Sequence, residues 1–295
     1  MVVKKLFLFQ FLFFFLIQSS FSQEDLLDLF DDGDKNEIEY VSATFKTTRL
    51  VSGQSIENPP SGEMIFIVSH HFGRINEGFY ELFGLDQSTI RIGLEYGVND
   101  RLAVGAGRSS FRKTYDTFIK YKLIRQSSGL RTMPVSISAF SSVAMNSLKW
   151  ADPERENYFS SRLSYTHQLL IARKFNNNLS VQLSPTLVHK NLVPTNDDQH
   201  DILAMGIGGR HKITNRITLN VEYFYLLPGN TADNYYNPLS IGFDIETGGH
   251  VFQLHFTNTQ PMYESAFITE TAGSWADGDI YFGFNINRVF TIKRP

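Results

Sequence analysis

The chain has 295 residues, of which 19% are charged and 14% aromatic, with 26 Phe and 13 Tyr against two Trp. That balance excludes a disordered chain, which carries much charge and few aromatics, and a formal net charge of −3 excludes the basic footprint of a nucleic-acid binder. Cysteine is absent, so disulfides, thiol nucleophiles and Cys-ligated metal centres are ruled out.

Lys4 and Lys5 precede an apolar run from Leu6 to Ile17 broken only by Gln10, and Ser20-Phe21-Ser22 offers a small-residue site before Gln23. A run this short with a basic flank reads as an export signal, cleaved after about Ser22. A spanning helix needs about 20 apolar residues. Residues 24–39 then carry eight acidic groups and one lysine around Leu26-Leu27-Asp28-Leu29-Phe30. Val41 to Val51 reads as strand, and Asn58-Pro59-Pro60-Ser61-Gly62 breaks the chain. Residues 23–62 are therefore expected to be an acidic periplasmic segment or plug, ahead of a main domain over 63–292.

From residue 63 the pattern has period two. In Thr89 to Val98 every even position is apolar (Ile90, Ile92, Leu94, Tyr96, Val98), and Ile217–Tyr225 and Leu239–Glu246 alternate in the same way. A helix would repeat its apolar residues at i, i+3 and i+4, so these are half-buried strands. The pattern predicts twelve, over 64–72, 89–98, 102–111, 115–125, 134–144, 159–173, 179–190, 201–212, 217–227, 238–247, 250–258 and 279–290. Tight connections (Asn99-Asp100-Arg101, Asn176-Asn177-Asn178, Thr214-Asn215-Arg216, Gly248-Gly249) largely alternate with long ones such as 145–158, 191–200, 228–237 and 259–278.

An even number of antiparallel strands with tight turns at one end and long loops at the other is the plan of a transmembrane β-barrel. Hydrocarbon cannot satisfy a free strand edge, so such a sheet must close. The fold class expected is all-β, a single antiparallel transmembrane barrel of about twelve strands in a bacterial outer membrane. Tyr115, Trp150, Tyr158, Phe159, Tyr235, Tyr236 and Tyr263, near strand ends, suit an interfacial girdle. A soluble secreted β protein also alternates, but its outer face should be rich in Lys and Glu, whereas here the non-apolar face is Gly, Ser, Thr and Asn.

The stretches Ala43-Thr44-Phe45-Lys46-Thr47-Thr48-Arg49, Tyr80-Glu81-Leu82-Phe83-Gly84-Leu85-Asp86, Trp150 to Phe159 and Gly242 to Leu254 resemble an outer-membrane β-barrel family known only as domain of unknown function 5777. The resemblance covers most of residues 40–292. It implies the barrel fold and Gram-negative export, and it carries no activity and no site residues. The last strand, with Ile280, Phe282, Phe284, Ile286 and Phe290, resembles the closing strand read by barrel-assembly machinery.

Few constellations suggest chemistry. His167 lies at outward parity near Ser160, Ser161 and Ser164, the one hint of a barrel-embedded hydrolase, but Ser164 faces the other way. His70 and His71 are adjacent, so on a strand they point to opposite faces and cannot chelate one ion. Asp197-Asp198-Gln199-His200-Asp201 reads as a solvated acidic loop before a cation site. Gly105-x-Gly107 and Gly206-x-Gly208 open no helix and so cradle no phosphate; they suit a narrow lumen. No catalytic residue, metal or cofactor is expected. The informative set is the inward parity: Arg91, Glu95, Lys120, Lys122, Arg162, Arg210, Glu222, Asp244 and Glu246, with Phe118, Phe140 and Phe224 beside them. It reads as a salt-bridge network filling the lumen or, alternatively, as an ion or ligand path. The expected function is a narrow channel or transporter, or an anchoring barrel for a periplasmic protein partner, with outer-membrane lipid around it.

Overall fold

A computed structural model describes residues 37–193, 195–228, 235–247 and 250–293. The expected export signal (residues 1–22), residues 23–36 and the Gly248-Gly249 turn lie outside the described residues. The chain divides into two compact units. The smaller includes residues 37–39 and 128–132; the short strands β1 (Ile38–Tyr40) and β6 (Ser127–Gly129) form a two-stranded sheet of their own.

The larger unit is a closed antiparallel barrel of twelve strands. They are β2 (Glu63–Arg74), β3 (Ser88–Gly97), β4 (Leu102–Ser109), β5 (Tyr115–Ile124), β7 (Ser136–Met145), β8 (Leu163–Lys174), β9 (Leu179–Lys190), β10 (Asp201–Lys212), β11 (Ile217–Leu226), β12 (Leu239–Thr247), β13 (His250–Thr257) and β14 (Tyr281–Thr291). Each pairs with the next, and β14 closes on β2 from Tyr281↔Arg74 to Thr291↔Glu63. All twelve fall within four residues of the expected spans. The largest difference is at β8, which starts at Leu163 because Phe159–Arg162 forms a 3-10 turn.

The tight turns share one device. Asn99 Oδ1 accepts from the N–H groups of Arg101 and Leu102, both at 2.9 Å, and Asn176 Oδ1 accepts from Asn178 and Leu179, both at 2.8 Å. Thr214 Oγ1 does the same for Arg216 and Ile217. A short polar side chain that bonds the backbone two or three residues on closes a hairpin without a longer loop.

Burial alternates along the wall, as in β3, where Ile90, Ile92 and Leu94 are 38%, 46% and 45% exposed while Arg91 and Glu95 are buried. The same exposed apolar set runs through Leu183, Leu203, Met205, Phe243 and Leu254. A band of this extent is untenable in water and is what a hydrocarbon environment requires. Among the described residues no helix is long and apolar enough to cross a membrane; the strands do the crossing.

The core is the lumen, and two segments occupy it. Residues 41–62, with Val41–Val51 expected as a strand, are irregular, with one internal bridge, Arg49↔Gln54, and one to the wall, Ser61↔Gly97. Phe45, Leu50 and Ile56 from this segment pack with Phe118, Phe140, Leu170 and Ala172 of the inner wall. The second segment is the 258–280 connection. Its short helix α1 (Glu264–Thr269) is buried at every residue, with Phe267 and Ile268 against Val188, Ile202, Phe224 and Leu226. Tyr263, expected in an interfacial girdle, is 5% exposed and packs with Ala144 and Ala266 inside the barrel. The long 259–278 connection is therefore folded inward and not an external loop.

Candidate functional site: the filled lumen

Inward-facing polar side chains of the wall are spent mainly on the backbone of residues 43–57. The Glu222 carboxylate on β11 accepts from three successive N–H groups, those of Val51 (3.4 Å), Ser52 (3.3 Å) and Gly53 (3.0 Å). Lys120 on β5 donates to the Gln54 side chain (3.1 Å) and to the carbonyls of Ser55 (3.1 Å) and Glu57 (2.6 Å). Arg210 on β10 donates to the carbonyls of Ala43 and Thr44, both at 3.1 Å. Gln182 on β9, Gln253 on β13 and Asn285 on β14 donate to the carbonyls of Gln54, Leu50 and Val51. A segment without a neighbouring strand must find partners for its backbone elsewhere, and here the wall supplies them. That is why Val41–Val51 reads as strand in the sequence yet forms none.

Charge pairing organises the rest. Arg91 and Asp116 form a bidentate pair within the wall, Nε to Oδ1 at 3.0 Å and Nη2 to Oδ2. Asp244 accepts from Gln253 (2.6 Å) and Thr218 (3.2 Å). Lys122 lies 3.9 Å from Glu57. Glu246 is exposed at the tight-turn end and pairs with Lys46. At the centre Arg49 lies between Glu95 (3.6 Å) and Glu264 of α1 (3.1 Å), and Gln54 also donates to Glu264 (3.0 Å). This cluster joins the two lumenal segments to each other and to β3.

Two expectations need correction. Arg162 is not on the wall: it ends the 3-10 turn before β8, donates to the carbonyls of Asn146 and Leu148, and lies over the Trp150 ring. It lines a cavity of about 200 Å³ at the long-loop end together with Arg112, Lys190, Tyr263 and Glu270. Nor is the filling mainly a network between wall charges, since most of them hold residues 43–57. Asp116, Arg49, Glu264, Gln182, Gln253 and Asn285 were missed. Asp116, Gln182, Gln253 and Asn285 sit at inward parity in β5, β9, β13 and β14 and were findable; Arg49 and Glu264 depend on which segments enter the lumen.

At the long-loop end Glu270 binds Lys190 (2.7 Å) and Arg112 (2.5 Å). Burial pushes the Tyr263 phenol up to about 12, and it accepts from Thr114 Oγ1 at 3.2 Å. The paired glycines are space-makers: a Cβ on Gly105 or Gly206 would meet Phe118 or Phe224 within 2.5 Å, and one on Gly107 would meet the Arg91 guanidinium at 2.4 Å. His70 stacks outward on Phe284, while His71 turns inward to His255, Nε2 to Nε2 at 2.9 Å. His167 faces outward and bonds Ser141, not Ser164, which bonds Ser265 inside. Among the described residues there is no cluster of three or more His, Asp and Glu placed to hold a metal ion. In the 195–201 loop Asp198 accepts from Thr195, and His200 donates to the Lys190 carbonyl.

Closure, an apolar outer band and a polar, chain-filled interior define a membrane-spanning β-barrel. The chain belongs to the family described as a membrane-bound β-barrel domain (DUF5777), whose model matches residues 45–290. No curated protein matches the sequence. Among solved structures it is similar to the NanC porin (8% identity, 78% of this chain and 100% of that one, TM-score 0.46) and to the KdgM porin (9%, 78% and 99%, 0.45). An outer membrane channel from Pseudomonas putida F1 is similar at 13% identity over 80% and 98% of the two chains, with a TM-score of 0.47.

Proposed function

We propose that the protein is a non-enzymatic outer-membrane channel whose resting state is closed by two inserts in series. Residues 41–60 fill the tight-turn half and residues 259–273 the long-loop half. In the usual barrel orientation tight turns face the periplasm and long loops the outside. The observation that carries the reading is how the interior is filled. Twelve strands enclose more than wall side chains alone can pack, as they do at eight, yet less than the open lumen of porins with 16–18. The remaining space holds chain bound by hydrogen bonds and ion pairs, contacts that can be exchanged for water without breaking the wall. An anchoring barrel would gain nothing from contents held in this way. An enzymatic reading has less support, because among the described residues no acid orients His167. The periplasmic exit of residues 41–60 is where a protein partner would pull on the segment.

Single-channel recording on the full mature chain tests this. Low conductance with weak preference between cations and anions is expected, rising when residues 23–60 are removed. Porin-like conductance from the full chain would refute the closed state.

A further inference from the structure

A trough of about 700 Å³ crosses the lipid-facing side of β5 and β7–β10, within the roughly 300–1,000 Å³ typical of small-molecule sites. The register builds it. One row of outward positions runs Tyr121, Ala139, Leu169 over β5, β7 and β8, and Pro185 pairs with Met205 across β9 and β10. The next row runs Ile119, Ser141, His167, Leu187, Leu203. The short side chains Ala139, Ser141 and Pro185 form the floor, and Tyr121 and Met205 rise at its sides. The β8–β9 pairing is interrupted between Gln168↔Thr186 and Ile171↔Leu183, beside Pro185, which has no N–H to give that seam.

Two polar side chains stand in this apolar surface. Ser141 Oγ and His167 Nδ1 lie 3.0 Å apart. An ionisable residue on the lipid face is costly and marks a function when present. With the Ser141 hydroxyl donating to Nδ1, the ring carries its proton on Nε2, and that N–H needs an acceptor that hydrocarbon does not provide. The protein is membrane-bound and this wall lies in the apolar band, so what fills the trough has an acyl chain. What satisfies His167 has a carbonyl or hydroxyl at the head of that chain.

We propose that the trough is a seat for one acyl lipid, its chain along Ala139 and Pro185 and its ester carbonyl accepting from His167 Nε2. Native mass spectrometry tests the assignment on mature chain refolded in detergent with added dioleoyl phosphatidylethanolamine. The folded state is verified by the heat-dependent gel shift. The wild type is expected to retain one lipid under activation that strips loosely held lipid. Ala139→Phe, which fills the floor, and His167→Leu, which removes the donor without adding bulk there, should each lower retention at least tenfold. Ile92→Phe, on outward β3, should leave it unchanged. Undiminished retention in His167→Leu overturns the seat even if Ala139→Phe fails to fold. Equal loss in Ile92→Phe reduces it to ordinary annular contact and overturns it too.

Discussion

Glu222 shows what one lumenal side chain does. Its carboxylate is the acceptor for three buried backbone N–H groups, and a buried donor left without a partner costs about 1–3 kcal/mol. Glu222→Ala should therefore release residues 50–54 from the wall, lower the temperature at which the folded band converts on a gel, and raise open-channel current; Glu222→Gln, which keeps one acceptor, should fall between. Arg91 and Asp116 pose the opposite case, a pair buried wholly inside the wall. Arg91→Met strands a buried carboxylate and should cost about 3–5 kcal/mol, whereas Arg91→Met with Asp116→Leu should recover most of that; equal thermal midpoints for the single and double variants would contradict it. Inward parity at Arg91, Lys120 and Glu222 was readable from period two alone. The partners of Lys120 and Glu222 were not, because Gln54 and Gly53 lie far away in sequence and no local pattern says which residues of a segment reach them.

Strand positions were legible because each element carries its own signal: alternation along it and an Asn or Thr closing the tight turns. The conformation of the first insert, expected as a strand, and the place of the second, expected as an outer loop, differ from expectation for one reason. Local pattern and loop length are all that the sequence offers for Val41–Val51 and 259–278, while their conformation is set by what surrounds them. Residues 41–57 are held by side chains from β5, β9, β10, β11, β13 and β14, and α1, six residues long, is too short to be stable on its own. The burial difference has a direct readout. A short epitope inserted at 152–156, where Asp152 to Glu156 are all exposed, should be reached by antibody on intact cells. One inserted at 266–268 should not, because Ala266, Phe267 and Ile268 are at most 1% exposed. Epitopes at Asn177 or Asn215 should be reached only after the outer membrane is permeabilised. Labelling at 266–268 on intact cells would show the helix outside the barrel.

For the whole molecule the consequence is electrical. The inserts are stacked along one lumen and meet at Arg49, Gln54 and Glu264, so in the channel proposed above they act as resistances in series. Removing either one leaves the other in the path, and current stays limited by what remains. Removing 41–60 exposes the underside of α1, still held by Ser164, Lys190 and the Phe224–Phe267 contact. Replacing 262–272 by a short Gly-Ser linker leaves 41–60 bound to Glu222, Lys120 and Arg210. Each single change should give a small rise in conductance, and the two together a rise larger than the sum of both. Loss of Glu264 also removes one of the acidic partners that keep Arg49 in place, so the 262–272 variant should open more often as well as wider, and Glu264→Gln should reproduce only the gating. The wall itself should survive each change, because its ladder closes without the inserts; unheated samples of all four proteins should run ahead of boiled ones on an SDS gel. Bilayer recordings on the same preparations decide the point. A single deletion that already gives the current of the double would show that one insert alone closes the pore.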